Sequence, residues 1–331
     1  MARGSNDSRL VSCCSWWLCP RVATVAVSLV QVELCSPSDL SPDEFATCAN
    51  RSFPGRKETP EHLEWKWCYN GFGYSRAVVA RARTGELLGA IILGQQGVRM
   101  PTETISSYCI YDLFVAPESR GQGVYRALLE LVPRAAGCAG VLFSFPNQSA
   151  MPGQLRAGWK PIRKVHQYST LRSARSHGVL DVSGDKGRIE QLCTRTPARD
   201  SVVWQPTQEH VLWRLENPKI PTYLLEASGV LALVSVAARL GRREMRTLIV
   251  ADRASRGLYR RLDAIRRMAA SLGCSFATTA EQIGGEMSTL QALTGSWFPR
   301  PSNAVLTLYE GQKPRAVDYE WIVEGGMIHT W

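Results

Sequence analysis

VAPESRGQGVYRAL, Val115–Leu128, joins two local patterns through a glycine turn. Before it, Ile110–Val115 is rich in β-branched and aromatic residues, which predicts a buried strand. After it, VYRALLELV from Val124 spaces its apolar residues with helical period. A strand, a glycine turn and a helix in that order present main-chain N–H groups with no intrahelical acceptor. Together with the positive end of the helix dipole, these groups make a site for a phosphate-type anion. Gly121 and Gly123 allow positive φ and close approach of the backbone to a ligand, and Arg120 adds a charge-assisted contact. The spacing lacks the third glycine of the dinucleotide-binding fingerprint.

The same pattern recurs further along the chain. Ile110–Phe145 parallels Met245–Ala280: each reads as strand, tight turn, amphipathic helix and second strand. Upstream, EHLEWKW (Glu61–Trp67) parallels EHVLWRL (Glu209–Leu215), and each is followed by two strand-like runs around a Gly turn. A structural duplication is therefore expected. The polar segment Arg172–Arg188 is the linker candidate, and the tail DYEWIVEGGMIHTW is expected to pack as a strand on the second sheet. The boundaries that follow are 1–21 for a poorly ordered leader, 22–175 for a first domain and 176–331 for a second. VATVAVSLVQV (Val22–Val32) is too short for a membrane span and reads as the strand that begins the fold.

Composition narrows the function classes. A chain of 331 residues with 45% hydrophobic content has material for two cores. The net charge of +10 favours an anionic partner, either nucleic acid or a phosphorylated cosubstrate, or carries no such meaning. The Lys and Arg residues are scattered, with no basic–aromatic stripe, which argues against nucleic acid. Ten cysteines lack any CxxC pair, which argues against a metal site and for a reduced, cytoplasmic protein. The first residues, MARGSNDSR, lack the apolar stretch of a signal peptide, and no membrane attachment is expected.

RGQGVY resembles the acetyl-CoA pyrophosphate loop of the GNAT acetyltransferase superfamily, through Arg120 and Gly123, with Tyr125 where the family usually has Gly or Ala. Asn147, followed by Gly158-Trp159, resembles the family's strand end, short helix and final hairpin. The resemblance implies an α/β fold of the α+β mixed-sheet kind. It comprises two tandem GNAT-like domains, each a splayed mixed sheet flanked by helices. It implies acetyl-CoA as cosubstrate, no metal, and acetyl transfer to a primary amine on an unidentified amine-bearing acceptor. The cosubstrate would lie along Leu113, Phe114 and Val115, with its diphosphate on Arg120, Gly121, Gln122, Gly123, Val124 and Tyr125, near Asn147. Transfer would be by direct attack, assisted by a base and an acid.

Two positions depart from that pattern. Leu142 stands where many members have Glu, and Gln154 where many have the Tyr acid. Asp112 is then the leading candidate base, with Glu64 and Tyr168 as further candidates, against structural roles for all three. The missing proton handlers leave open an alternative, a catalytically inactive coenzyme-A-binding or regulatory module. Pro152-Gly153 predicts a distorted helix after Asn147. Aligning Gly257 with Gly123 puts Ala254 opposite Arg120 and Ser255 opposite Gly121, so the second domain is read as degenerate.

Overall fold

The computed structural model describes residues 25–27, 30–53, 55, 57–67, 70–100, 103–137, 141–165, 167–173, 176–194, 201–239, 241–252, 258–280, 297–300, 305–309 and 320–322. The predicted leader and the turn at 253–257 lie outside them. The described residues begin with a short hairpin, β1 (Val25–Val27) and β2 (Val30–Cys35), rather than one strand over 22–32. Two helices follow, α1 (Pro42–Ser52) and α2 (Pro60–Trp67). Ser41 caps α1 by accepting from the Glu44 N–H, and Pro42 sits in the first turn, where no N–H is needed.

Three antiparallel strands come next: β3 (Arg76–Ala82), β4 (Leu87–Arg99) and β5 (Thr104–Val115). Then come α3 (Val124–Ala136), β6 (Val141–Ser144), α4 (Met151–Arg156), β7 (Trp159–Lys164) and β8 (Gln167–Leu171). α4 forms in spite of Pro152-Gly153, because Pro152 falls in the first turn of the helix. The expected distortion is absent for that reason.

The second half repeats the order. The predicted linker holds a strand, β9 (Val179–Asp181), and leads into α5 (Lys186–Cys193). β10 (Ser201–Trp204) and α6 (Gln208–Leu215) precede β11 (Thr222–Ala227), β12 (Val230–Arg239) and β13 (Arg242–Asp252). α7 (Leu258–Ser271), β14 (Phe276–Ala280), β15 (Trp297–Arg300), β16 (Val305–Tyr309) and β17 (Glu320–Ile322) complete it.

Among the described residues these strands form two mixed sheets, and the sheets exchange strands. The first runs β1-β2-β3-β4-β5-β6-β16-β7, and the second runs β15-β8-β14-β13-β12-β11-β9. Thus β8 leaves β7 and inserts between β14 and β15, while β16 leaves β15 and inserts between β6 and β7. Each half lends the other its last hairpin strand, across the expected boundary at 175 and 176. The tail strand β17 pairs with β10, which in turn pairs with β4, so it belongs to the first sheet and not the second. The sequence pattern there marks a strand but carries nothing that selects its neighbour.

One core is shared between the sheets, with Tyr111, Phe143 and Leu306 from one side and Leu224, Leu233 and Leu248 from the other. The outer faces are covered separately. α3 packs Leu128, Leu131 and Val132 on the first sheet, and α7 packs Ile265 and Met268 on the second. α1 and α2 cover the remaining face of β3–β5 around Phe45, Leu63 and Phe114.

Candidate functional site

β5 and β6 are parallel neighbours only at Ser107↔Val141, Tyr108↔Leu142 and Cys109↔Phe143. β5 runs on through Ile110–Val115 with β4 as its only registered neighbour among the described residues. The two parallel strands therefore splay, and the opening faces the turn that enters α3.

That turn holds its main-chain N–H groups in an open arrangement. Ala116–Arg120 makes a tight 3-10 turn, with the Ser119 N–H donating to the Ala116 carbonyl and the Arg120 N–H to the Pro117 carbonyl. Gly121 and Gly123 then take φ of +77° and +81°. No heavy atom lies within 4 Å of where a Cβ would stand on either, so it is the backbone angle and not crowding that calls for glycine. The first helical amide that finds an acceptor is that of Ala127, bonded to the Gly123 carbonyl. Among the described residues, the N–H groups of Gly121, Gln122, Gly123, Val124, Tyr125 and Arg126 donate to no protein acceptor. They fan out at the positive end of a 13-residue helix.

Arg120 does not point into this fan. Its Nη2 donates to the Ser52 carbonyl at 2.9 Å and its Nε to the Val115 carbonyl at 3.3 Å. It is a strut that fixes the turn against the end of α1 through two main-chain contacts. Ser52, the other half of that strut, has no local sequence signal. The Val115 carbonyl also accepts from Ser52 Oγ at 3.4 Å. Leu113 and Val115 lean on the α3 core, while Phe114 packs edge-on to Phe45 on the opposite face. Gln122 is exposed and donates to the Glu118 carbonyl.

Tyr125 spans the gap between the two helices that flank the opening. Its hydroxyl donates to the Ala150 carbonyl at 3.0 Å, and its ring lies where a Cβ on Gly153 would be, 2.2 Å from Cε1. Burial pushes the phenol's pKa well up. Asn147 Oδ1 accepts from the Ala150 N–H at 2.9 Å, which starts the turn into α4.

The candidate proton handlers are dispersed. Asp112 is 4% exposed and forms a buried ion pair with Lys66 of α2, 2.7 Å from Nζ to Oδ2 and 2.8 Å to Oδ1. Glu64 is exposed on the outer side of α2, because its neighbours Leu63 and Lys66 take the inward positions. Tyr168 lies on β8, which the strand exchange carries into the second sheet, so its ring packs on the core under α7. Neither Glu64 nor Tyr168 joins Asp112 at the opening. Leu142 is core, and Gln154 is 1% exposed in a structural network. Its Nε2 donates to Ser144 Oγ at 3.0 Å, and its Oε1 accepts from Thr307 Oγ1 at 2.8 Å.

The repeated helices meet on a local two-fold. Trp65 and Trp213 stack with centroids 4.2 Å apart and planes 5° apart. Trp65 Nε1 donates to the Trp213 carbonyl at 3.0 Å, and Trp213 Nε1 donates to the Trp65 carbonyl at 2.9 Å. A cavity of about 40 Å³ lies beside this stack, lined among others by Glu58, His62, Lys66, Tyr111 and Arg214. His62 Nδ1 lies 2.6 Å from Glu58 Oε2, yet burial outweighs that carboxylate and lowers the imidazole's pKa. Burial and the Arg214 charge hold His210 well below the usual range. Burial brings Arg214 itself down to about 10. Among the described residues no three His, Cys, Asp or Glu side chains come together as a metal site, and no helix is long and apolar enough to cross a membrane.

Residues 43–152 match the family model described as acetyltransferase (GNAT) family. Among curated proteins none matches the chain in sequence. Solved structures share the fold across both halves. A GCN5-related N-acetyltransferase from Anabaena variabilis superposes with a TM-score of 0.58 at 11% identity, over 84% of this chain and 72% of that one. A probable N-acyltransferase from Enterococcus faecalis gives 0.59 at 11% identity, over 84% and 72%. N-myristoyltransferase from Saccharomyces cerevisiae with bound myristoyl-CoA gives 0.59 at 13% identity, over 88% and 84%.

Proposed function

We propose, from the premise that residues 43–152 carry a GNAT-family domain, that this protein transfers an acyl group from an acyl-coenzyme A to a primary amine. The observation that carries the reading is the row of free amides from Gly121 to Arg126, set at the mouth of the splayed β5–β6 pair. That arrangement suits a diphosphate, and the residues fit it: charge-complementary N–H donors, positive-φ glycines and open space in front of them. When bound, the cosubstrate supplies an activated acyl carbonyl. The chain supplies position: the turn holds one end, Ile110–Val115 offers a strand edge along the arm, and the α1–α2 face approaches the far end.

The first half, 22–175, is the donor-binding unit in this reading, and the second, 176–331, is a scaffold that lends β16 and packs α6 on α2. The free cysteines Cys48, Cys109 and Cys274 are buried, which supports a reducing compartment such as the cytoplasm. Asp112 is the one candidate carboxylate near the splay, and its pairing with Lys66 makes it a supporting group. The acceptor amine is therefore expected to arrive neutral, so the rate should follow the acceptor's own pKa. Both an N-acetyltransferase and a protein with bound myristoyl-CoA share this fold, so the fold alone leaves the acyl group open.

Calorimetric titration with coenzyme A, followed by thiol release from acetyl-CoA across an amine panel, tests the reading. One-to-one binding with turnover on some amine is expected, and no binding at millimolar coenzyme A would refute it. The absence of an acid or base at Leu142 and Gln154 favours one second reading, a coenzyme-A-binding module without transfer. Binding without thiol release on any amine would select it.

A further inference from the structure

The two diverging strands each lead into a helix, β5 through the glycine turn into α3 and β6 through Asn147 into α4. Tyr125 joins these helices. It stands in the first turn of α3, partly buried, and among the described residues its own N–H meets no protein acceptor. Its hydroxyl donates to the Ala150 carbonyl at 3.0 Å. That carbonyl also accepts from the Gly153 and Gln154 N–H groups, each at 3.1 Å, and so closes the first turn of α4. Gln154 carries the connection on to the strand, because its Nε2 donates to Ser144 Oγ, at the end of β6, at 3.0 Å. One residue therefore has its amide in the open row and its phenol on the helix that anchors β6.

The ring makes a second contact on the same helix. Gly153 lies within α4 and takes no positive φ, so its backbone does not call for glycine. A glycine inside a helix weakens it relative to alanine. What requires glycine is the ring, since a Cβ on Gly153 would run into Cε1 and Cδ1 of Tyr125. α4 is only six residues long, and a helix that short keeps its shape through what it packs against. Whatever fixes the backbone at Tyr125 lowers the entropy cost of keeping α4 in place. A diphosphate held by the free amides does that.

We propose that Tyr125 is a positioning residue that couples the glycine turn to α4. A diphosphate on the amides then tightens α4 and the end of β6, the strand that forms one side of the opening. The proposal rests on the coenzyme A reading above. Amide-resolved exchange of the full chain, with and without saturating coenzyme A, tests it. Gly153 and Gln154 are the reporters, because their N–H groups share the Ala150 carbonyl with Tyr125. Coenzyme A should slow both roughly three- to tenfold in the wild type, the effect of firming about one hydrogen bond. Tyr125→Ala should abolish that slowing while the amides of Gly121–Gly123 stay protected. Gly153→Ala should abolish it too, although alanine is the better helix former, because the added methyl displaces the ring. In the Tyr125→Ala background the same change meets no ring and should slow α4 exchange instead. Either single variant suffices should the other not fold. A tyrosine with a merely structural role would alter α4 exchange equally with and without ligand. That outcome, wild-type protection confined to the turn, or slowing that persists in Tyr125→Ala would overturn the coupling and leave the site intact. No protection of Gly121–Gly123 by coenzyme A in the wild type would instead remove the coenzyme A reading itself.

Discussion

Replacing Arg120 separates two roles that a sequence motif does not. A guanidinium that touches a diphosphate contributes to ligand affinity alone. The geometry makes it a strut, with Nη2 on the Ser52 carbonyl at 2.9 Å and Nε on the Val115 carbonyl at 3.3 Å. Hydrogen bonds from a charged donor contribute about 1.5–3 kcal/mol each before screening. Arg120 is exposed, and Val115 keeps Ser52 Oγ as a second donor, so the sum is discounted to about 1–2 kcal/mol. Arg120→Ala should therefore lower the stability of the ligand-free protein by that amount. In Tm this is roughly 2–8 °C for units of this size. Arg120→Lys should not recover it, because an ammonium on a flexible stem does not reproduce the two-pronged contact. Differential scanning fluorimetry without ligand, beside calorimetry with coenzyme A, reads both effects. An unchanged ligand-free Tm in Arg120→Ala, with affinity restored by Arg120→Lys, would refute the strut and return Arg120 to the ligand.

Three further outcomes are expected. Trp213→Phe keeps a stacked ring but removes the donor to the Trp65 carbonyl, which should cost about 1–3 kcal/mol in urea unfolding, and Trp65→Phe should match it through the mirror bond. His62 and His210 have pKa values lowered by burial, so the unfolded chain takes up protons first. Stability should be level above about pH 6.5 and fall below it by up to about 1.4 kcal/mol per pH unit for each histidine, a slope that His210→Gln should lessen and that circular dichroism melts will show. Gln154→Leu leaves Ser144 Oγ and Thr307 Oγ1 each short of a partner; it should cost about 1–3 kcal/mol and speed hydrogen exchange most in β16, the borrowed strand.

What could be read from sequence was local. The turn at Arg120–Gly123 announces itself because positive φ needs glycine, and the helix after it because its apolar period is 3.6. The repeat of EHLEWKW and EHVLWRL was visible as a pattern, but not that Trp65 and Trp213 would donate to each other's carbonyls. Contacts over long separations stayed hidden. Ser52 lies 68 residues from the Arg120 it receives, and Lys66 lies 46 residues from Asp112. The exchange of β8 and β16 was hidden for another reason: an alternating strand fits either sheet equally, and its partner is chosen by topology. That exchange is what removes Tyr168 from the opening. Gln154 shows the limit of reasoning by family position, since a residue standing in for an acid turns out to hold a strand in place.

The central claim is that the free amides from Gly121 to Arg126 receive the diphosphate of coenzyme A. Amide-resolved hydrogen exchange on the full chain, with and without coenzyme A, addresses it residue by residue. Strong protection should appear at Gly121–Arg126 and weaker protection along Ile110–Val115, with α7 and the second sheet unchanged. Saturable binding that leaves those amides exchanging as fast as before would contradict the account.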